Sequence, residues 1–367
     1  MAGGTEVIDA DGHVLEPRAA WAGLPERHRP TIGTDPKGLD HVTVGGHEVF
    51  TARLGQMGTP GTDVGAPADA VPLEDAREGA FDPRARLVDM DAEGIDRAVL
   101  YPTVGLGFWG IPDPEAAVAV ARAYNDWLAG YCATAPLRLH GAAMVPLQDP
   151  GAAVAELTRA RRELGFVSAF VRPNPCGGRS IVDPAHEPLW EAAAGLGVAV
   201  AVHEGFQPAV PPLGHDRRPT NVLVLHAISH TLEQMLACAQ LIGTGVLERH
   251  PDLRVVFLEA GGGWAPYWVS RLDHQVPAYH RFAPSLSLLP SEYFSRQCWV
   301  SFEIDEETLP ALVPFLGPDR VVWGSDYPHA DSTFPGAVAE LRRTIAPLTE
   351  GERAKILGAN AARLYGL

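Results

Sequence analysis

The sequence predicts a (β/α)8 TIM barrel with a long insertion after its first strand. Three observations carry this. Eight short, nearly continuous apolar runs punctuate the chain, helix-like segments separate them, and the runs end in or just before a polar residue, glycine or proline. Strands buried on both faces read this way, and eight of them alternating with helices is the count of a closed parallel barrel. The 367-residue length suits a barrel of ~250 residues with insertions. A doubly wound open sheet is the competing α/β architecture, but no glycine-rich phosphate loop follows the first run.

The runs occupy 7–11, 97–102, 140–146, 166–173, 198–203, 254–261, 298–302 and 320–326. Helices follow with recognisable starts. Asp113 precedes PEAAVAVARAYNDWLAGY, Asp149 precedes PGAAVAELTRARREL, and Ser229 precedes HTLEQMLACAQLIGTGVLERH. Asp and Ser cap the first free N–H groups of a helix, and an early proline suits its first turn. Two segments break the rhythm. In 14–80, HVTVGGHEVF alternates around Gly45 and Gly46 and predicts a hairpin, while GQMGTPGTDVGAPADAVP predicts a loop. The second segment is 206–223. Insertions after barrel strands land on the catalytic face, so 14–80 is a candidate lid within one domain spanning 1–367.

Composition narrows the function. Hydrophobic residues make up 46% and charged residues 20%, with 38 glycines and 33 prolines, which excludes a coiled coil, a disordered chain and a membrane-spanning helix protein. The 45 acidic residues against 29 basic give a formal charge of −16, which argues against nucleic acid or an anionic membrane as partner. The opening residues show no basic-then-apolar leader pattern, so a cytoplasmic location is expected. Cys132, Cys176, Cys238 and Cys298 lie far apart and read as buried free thiols.

The chemistry should gather at the C-terminal strand ends. Asp11 and His13 are two apart on the first strand and therefore face the same way. The fifth run delivers His203 and the eighth Asp326. Each alone reads as a turn cap or a core histidine. Together, two carboxylates and two neutral imidazoles suit one divalent metal, with Zn2+ first and Mn2+ or Fe2+ as alternatives. Among further candidates, His226 and His230 precede the predicted fifth helix, His329 follows Asp326 by three residues, and Glu16 precedes Pro17. Arg172 and Arg53 could clamp a substrate carboxylate, with a surface role the simpler reading for Arg53. Trp109 and Phe206 could line an apolar pocket, with plain core as the simpler reading.

The motifs VIDADGHVLEP, YNDWLAGY, GAAMVPLQDP, AVHEG, GVLERHPDLRVVFLEAGGGWAPYWVSRLD and VVWGSDYPH run through most of the chain. With them the sequence resembles the amidohydrolase superfamily, in the amidohydrolase-2 branch that includes aminocarboxymuconate-semialdehyde decarboxylase and γ-resorcylate decarboxylase. The resemblance implies a barrel with one divalent ion at the positions matching Asp11, His13, His203 and Asp326, and it is compatible with a homodimer. It also marks two departures. The first strand carries Asp-x-His where the family often has His-x-His or Glu-x-His, which shifts preference toward harder ions. The sixth strand carries Ala260 where the decarboxylases place a proton-transferring histidine, with Glu259 one residue earlier. Adjacent strand residues face opposite ways, so Glu259 replaces that histidine only if the strand bends.

The expected function is a metal-dependent carboxy-lyase acting on a small aromatic or unsaturated carboxylic acid, with Asp326, His203, Glu259 and His230 as catalytic candidates. The alternative is a metal-dependent hydrolase opening a lactone, amide or ester, which Ala260 leaves open. A non-catalytic barrel is disfavoured because all four candidate ligands are present.

Overall fold

The computed structural model describes residues 5–62, 71–205, 210, 213, 221–283 and 286–367. In chain order its strands are β1 (Ile8–Val14), β2 (Thr31–Thr34), β3 (Asp40–Val44), β4 (His47–Ala52), β5 (Arg97–Pro102), β6 (Leu139–Met144), β7 (Ser168–Val171), β8 (Ala199–Val202), β9 (Val255–Phe257), β10 (Cys298–Phe302) and β11 (Val321–Trp323). Eight of them form one sheet in the order β1-β5-β6-β7-β8-β9-β10-β11, with parallel pairing between neighbours. Helices stand between successive strands, so the fold is the (β/α)8 barrel. Its strands are buried along nearly their whole length, which is why they read as continuous apolar runs.

The barrel closes between β1 and β11 through a few specific bonds. Asp326 N–H donates to Asp11 O (3.0 Å) and His13 N–H to Tyr327 O (2.7 Å). Ser325 donates to Asp9 through both its backbone N–H (2.9 Å) and its hydroxyl (2.6 Å). Gly324 is required at this seam, because a Cβ there would stand 2.5 Å from Asp11 Cβ.

The expected helix starts hold at Asp113 and Asp149, whose side chains accept the N–H of Glu115 and Ala152. Ser229 is a correction. The helix runs Val222–Gly243 with Asn221 as its cap, so Ser229, His226 and His230 lie inside it. The insertion contains the expected hairpin, with Gly45 and Gly46 at φ 57° and 82° between β3 and β4, as a two-residue turn of this twist requires. It also contains β2, which pairs antiparallel with β3. Cys132, Cys176, Cys238 and Cys298 are all buried free thiols. No helix among the described residues is long and apolar enough to cross a membrane.

Candidate metal centre and active site

Asp11, His13, His203 and Asp326 converge at the C-terminal mouth of the barrel. The register between β1 and β5 shifts between Asp9 and Gly12, and this irregularity turns Asp11 inward beside His13. His13 Nε2 lies 3.2 Å from His203 Nε2, 3.6 Å from Asp11 Oδ1 and 3.4 Å from Asp326 Oδ1. His203 Nε2 lies 3.5 Å from Asp11 Oδ1. Donors sitting about 2.05 Å from a tetrahedral ion are themselves roughly 3.3 Å apart, so this spacing fits one divalent cation.

Hydrogen bonding prepares the donors for that role. His13 Nδ1 meets Pro102 O at 2.8 Å and His203 Nδ1 meets Glu204 O at 2.6 Å. Each carbonyl requires a proton on Nδ1, which leaves the lone pair on each Nε2. Two lone pairs 3.2 Å apart repel unless a metal ion or a proton lies between them. Asp11 Oδ1 is buried and has no hydrogen-bond partner among the described residues, as an oxygen reserved for a metal would be. The residues therefore fit a divalent ion.

Asp326 and Glu259 adopt left-handed backbone conformations, at φ 53° and 49°. For residues with a Cβ this costs on the order of 1–3 kcal/mol, and such strain concentrates at working sites. It also answers the orientation problem at the sixth strand. β9 ends at Phe257, and the left-handed turn at Glu259 swings its carboxylate inward, to 3.3 Å from His203 Nε2 and 3.7 Å from His230 Nε2. Glu259 and Gly261, at φ 49° and 62°, both take left-handed conformations in this bend.

Beneath and beside the donors, supporting contacts fix their positions. His329 Nδ1 is 2.5 Å from Asp326 Oδ1, and its Nε2 bonds Thr103 Oγ1 at 2.9 Å. Arg86 donates to His13 O (2.8 Å) and stacks on Tyr327. Tyr101 lies under both imidazoles and bonds Tyr365, whose hydroxyl donates to Ala10 O. Glu16 reaches none of the four donors. It accepts the N–H groups of Thr103, Val104 and Gly105, and burial pushes its carboxyl up to about 7.

The centre opens into a cavity of about 320 Å3 whose wall includes His226, His230, Glu259, Glu303, Asp326 and Asp331. No lysine or arginine is among its described lining residues. Burial, then Asp331 and Asp11, raise Asp326 well above the usual carboxylate range. Burial, then Asp326, do the same to Glu259. Burial, then His329 and His203, hold His13 well below the ordinary imidazole value, so it is neutral and able to ligate. A bound cation would reverse the carboxylate shifts.

The candidate substrate residues stand elsewhere. Arg172 is fully buried and its donors are taken by Asn174 Oδ1, Leu106 O and Glu204 Oε1, each at 2.9 Å. It is an internal ion pair behind His203, with no face on the cavity. Arg53 follows β4, half-buried, and its Nε has no hydrogen-bond partner among the described residues. Trp109 donates to Asn174 O and borders a separate cavity of about 600 Å3 with Gln148 and Arg179. Phe206 lies outside the described residues. Sequence reasoning missed Thr103, Glu204, Glu303 and Asp331. Only Glu204, adjacent to His203, carried a positional hint.

A family model described as amidohydrolase matches residues 8–367. The chain belongs to the amidohydrolase family. This amidohydrolase is 30% identical over 291 residues to the 2-amino-3-carboxymuconate-6-semialdehyde decarboxylase of Dictyostelium discoideum, covering 78% of this chain and 77% of the relative. It is 32% identical over 318 residues to the γ-resorcylate decarboxylase of Rhodococcus jostii, covering 77% and 87%. An amidohydrolase structure from Mycobacterium avium subsp. paratuberculosis superposes with a TM-score of 0.80 at 24% identity over 100% of both chains. A dihydroxybenzoic acid decarboxylase from Polaromonas, solved with manganese and 2-nitroresorcinol, superposes at 0.68 and 23% identity over 99% of this chain and 98% of that one. This protein is accordingly an enzyme.

Proposed function

We propose that this amidohydrolase is a divalent-metal carboxy-lyase that removes CO2, without oxidation, from a small aromatic or unsaturated carboxylic acid. The observation that carries the reading is the four-donor centre at the barrel mouth, in a chain whose curated relatives are named as decarboxylases. Asp11, His13, His203 and Asp326 would hold the ion, manganese as in the Polaromonas structure or zinc. When bound, the ion supplies Lewis-acid polarisation of substrate oxygens.

The chain's own residues deliver the proton. Asp326, braced by His329, faces the cavity and would relay a proton taken from solvent to the carbon that bears the carboxylate. The carbon–carbon bond then breaks, its electron pair stays with the ring or π system, CO2 leaves, and Asp326 regains its proton from solvent. His203 is held by Glu204 O, while Glu259 and His230 form the opposite polar wall. The insertion 14–80 acts as a lid, a role supported by its attachment to the strand that carries Asp11 and His13.

One observation favours the hydrolase alternative. The described cavity wall offers carboxylates and no cationic side chain, which suits a neutral lactone, amide or ester. The test is turnover in D2O of a panel of hydroxybenzoates and unsaturated acids beside a panel of lactones. CO2 release with one deuterium on the former carboxyl-bearing carbon is the expected result. Ring opening of lactones without CO2 from any acid would replace this reading with hydrolysis.

A further inference from the structure

A second group of potential ligands lies beside the first. His226 and His230 are one turn apart on the helix Val222–Gly243 and project from the same side of it. Their ring centroids are 4.5 Å apart, and Glu259 faces them from the turn after β9. One ligand atom from each of His226, His230 and Glu259 lies within 4.8 Å of the other two. Two imidazoles and one carboxylate with open positions is a common set for a borderline divalent ion.

Two further details point to a ligand here. His230 Nδ1 lies 3.0 Å from Ser229 Oγ and 3.4 Å from His226 O, a carbonyl that only accepts, and its Nε2 stands 3.7 Å from Glu259 Oε1; with the proton on Nδ1, that Nε2 is free to ligate. His230 is 5% exposed, and that Nε2 meets no hydrogen-bond donor among the described residues. The two oxygens of Glu259 also divide between the clusters. Oε1 faces His230, while Oε2, buried without a hydrogen-bond partner among the described residues, faces His203.

We propose that His226, His230 and Glu259 hold a second divalent cation, bridged through Glu259 to the ion held by Asp11, His13, His203 and Asp326. The bridge rests on the metal-centre reading above, whereas the second site stands on its own donors. Asp331, with Oδ2 3.9 Å from His226 Nε2, is placed to complete the set. The donors stand wider than in the first cluster, and His226, with 52% of its side chain exposed, is free to turn inward on binding. His226, His230, Glu259 and Asp331 line the same 320 Å3 cavity as Asp326, so such an ion would border the space open to substrate.

The test uses the full chain, stripped with a chelator, reloaded with MnCl2 and desalted. Manganese is counted by elemental analysis and examined by electron paramagnetic resonance, for wild type, His226→Gln and His203→Ala. The exposed position of His226 makes its substitution compatible with folding, which circular dichroism verifies. About two ions per chain with an exchange-coupled spectrum in wild type, and about one uncoupled ion in His226→Gln, is the expected result. One ion in wild type that survives His226→Gln but not His203→Ala overturns the second site and leaves the first intact. An ion lost in His226→Gln and kept in His203→Ala overturns the first and the bridge. No bound ion overturns both.

Discussion

Replacing Gly324 by alanine tests the metal centre without touching a ligand. The added Cβ would lie 2.5 Å from Asp11 Cβ and 3.1 Å from Asp11 O. Non-bonded carbons rest about 3.5–4.0 Å apart, so roughly 1 Å of separation must be found. Both strands at this point are buried, and Asp11 O is tied to Asp326 N–H at 3.0 Å, so the movement falls on the two carboxylate ligands. Metal–donor distances tolerate only about ±0.2 Å. Displacing one ligand by several times that should weaken metal affinity about 10–100-fold, or about 1.4–2.7 kcal/mol. Overpacking should also cost the metal-free protein about 1–3 kcal/mol. Competitive titration against a chelating dye gives the first quantity, and thermal melts with and without metal give the second. The gap between the two melts should shrink, because stabilisation by a ligand follows its affinity. Gly130→Ala is the control. Its Cβ would meet nothing within 4 Å in the helix Pro114–Cys132, and it should be neutral or stabilise by about 0.4–1 kcal/mol. Wild-type affinity and an unchanged melting gap in Gly324→Ala would refute the idea that this contact sets the donor geometry.

His203→Ala should lose the ion of the first centre, read by elemental analysis. Arg172→Met strips Glu204 of its buried partner and should cost about 3–5 kcal/mol in urea unfolding, with Glu204→Gln in the same chain recovering part of it. His140, on β6, has its pKa lowered from 6.5 to about 4 by burial and then by Arg97. The unfolded chain therefore takes up that proton first, and stability should fall as pH drops from 6.5 to 4. Unscreened, this amounts to about 3 kcal/mol, and partial exposure reduces it to about 1–2. His140→Gln should flatten that part of the melting profile, and an unchanged acid limb would rule His140 out as its source.

What was legible in the sequence followed the local rules of burial and capping. All eight barrel strands were marked by runs apolar on both faces, and the convergence of Asp11, His13, His203 and Asp326 by their positions at strand ends. The Gly45 and Gly46 hairpin was legible because positive φ at both central residues is a local property. The misses were non-local or conformational. Glu259 turns inward because a non-glycine residue sits at φ 49°, and no periodicity encodes that. Arg172 resembled a substrate clamp, since its partner Glu204 is 32 positions away across a different strand. The helix Val222–Gly243 begins ahead of Ser229 because Asn221, just after the proline-rich stretch 208–219, takes the cap position. β2 escaped notice because its residues TIGT are largely exposed and carry almost no apolar pattern.

The barrel seam has a consequence for the protein's birth. The first and last strands of the sheet each contribute a carboxylate to one centre, Asp11 near the start and Asp326 near the end. Ribosomes release the chain from its N-terminus, so His13 and Asp11 emerge early while their opposing ligand is still untranslated. The growing polypeptide cannot offer the whole ligand set to a metal ion until the last barrel strand has been made, so an ion held by both carboxylates would clasp the two ends of the sheet together.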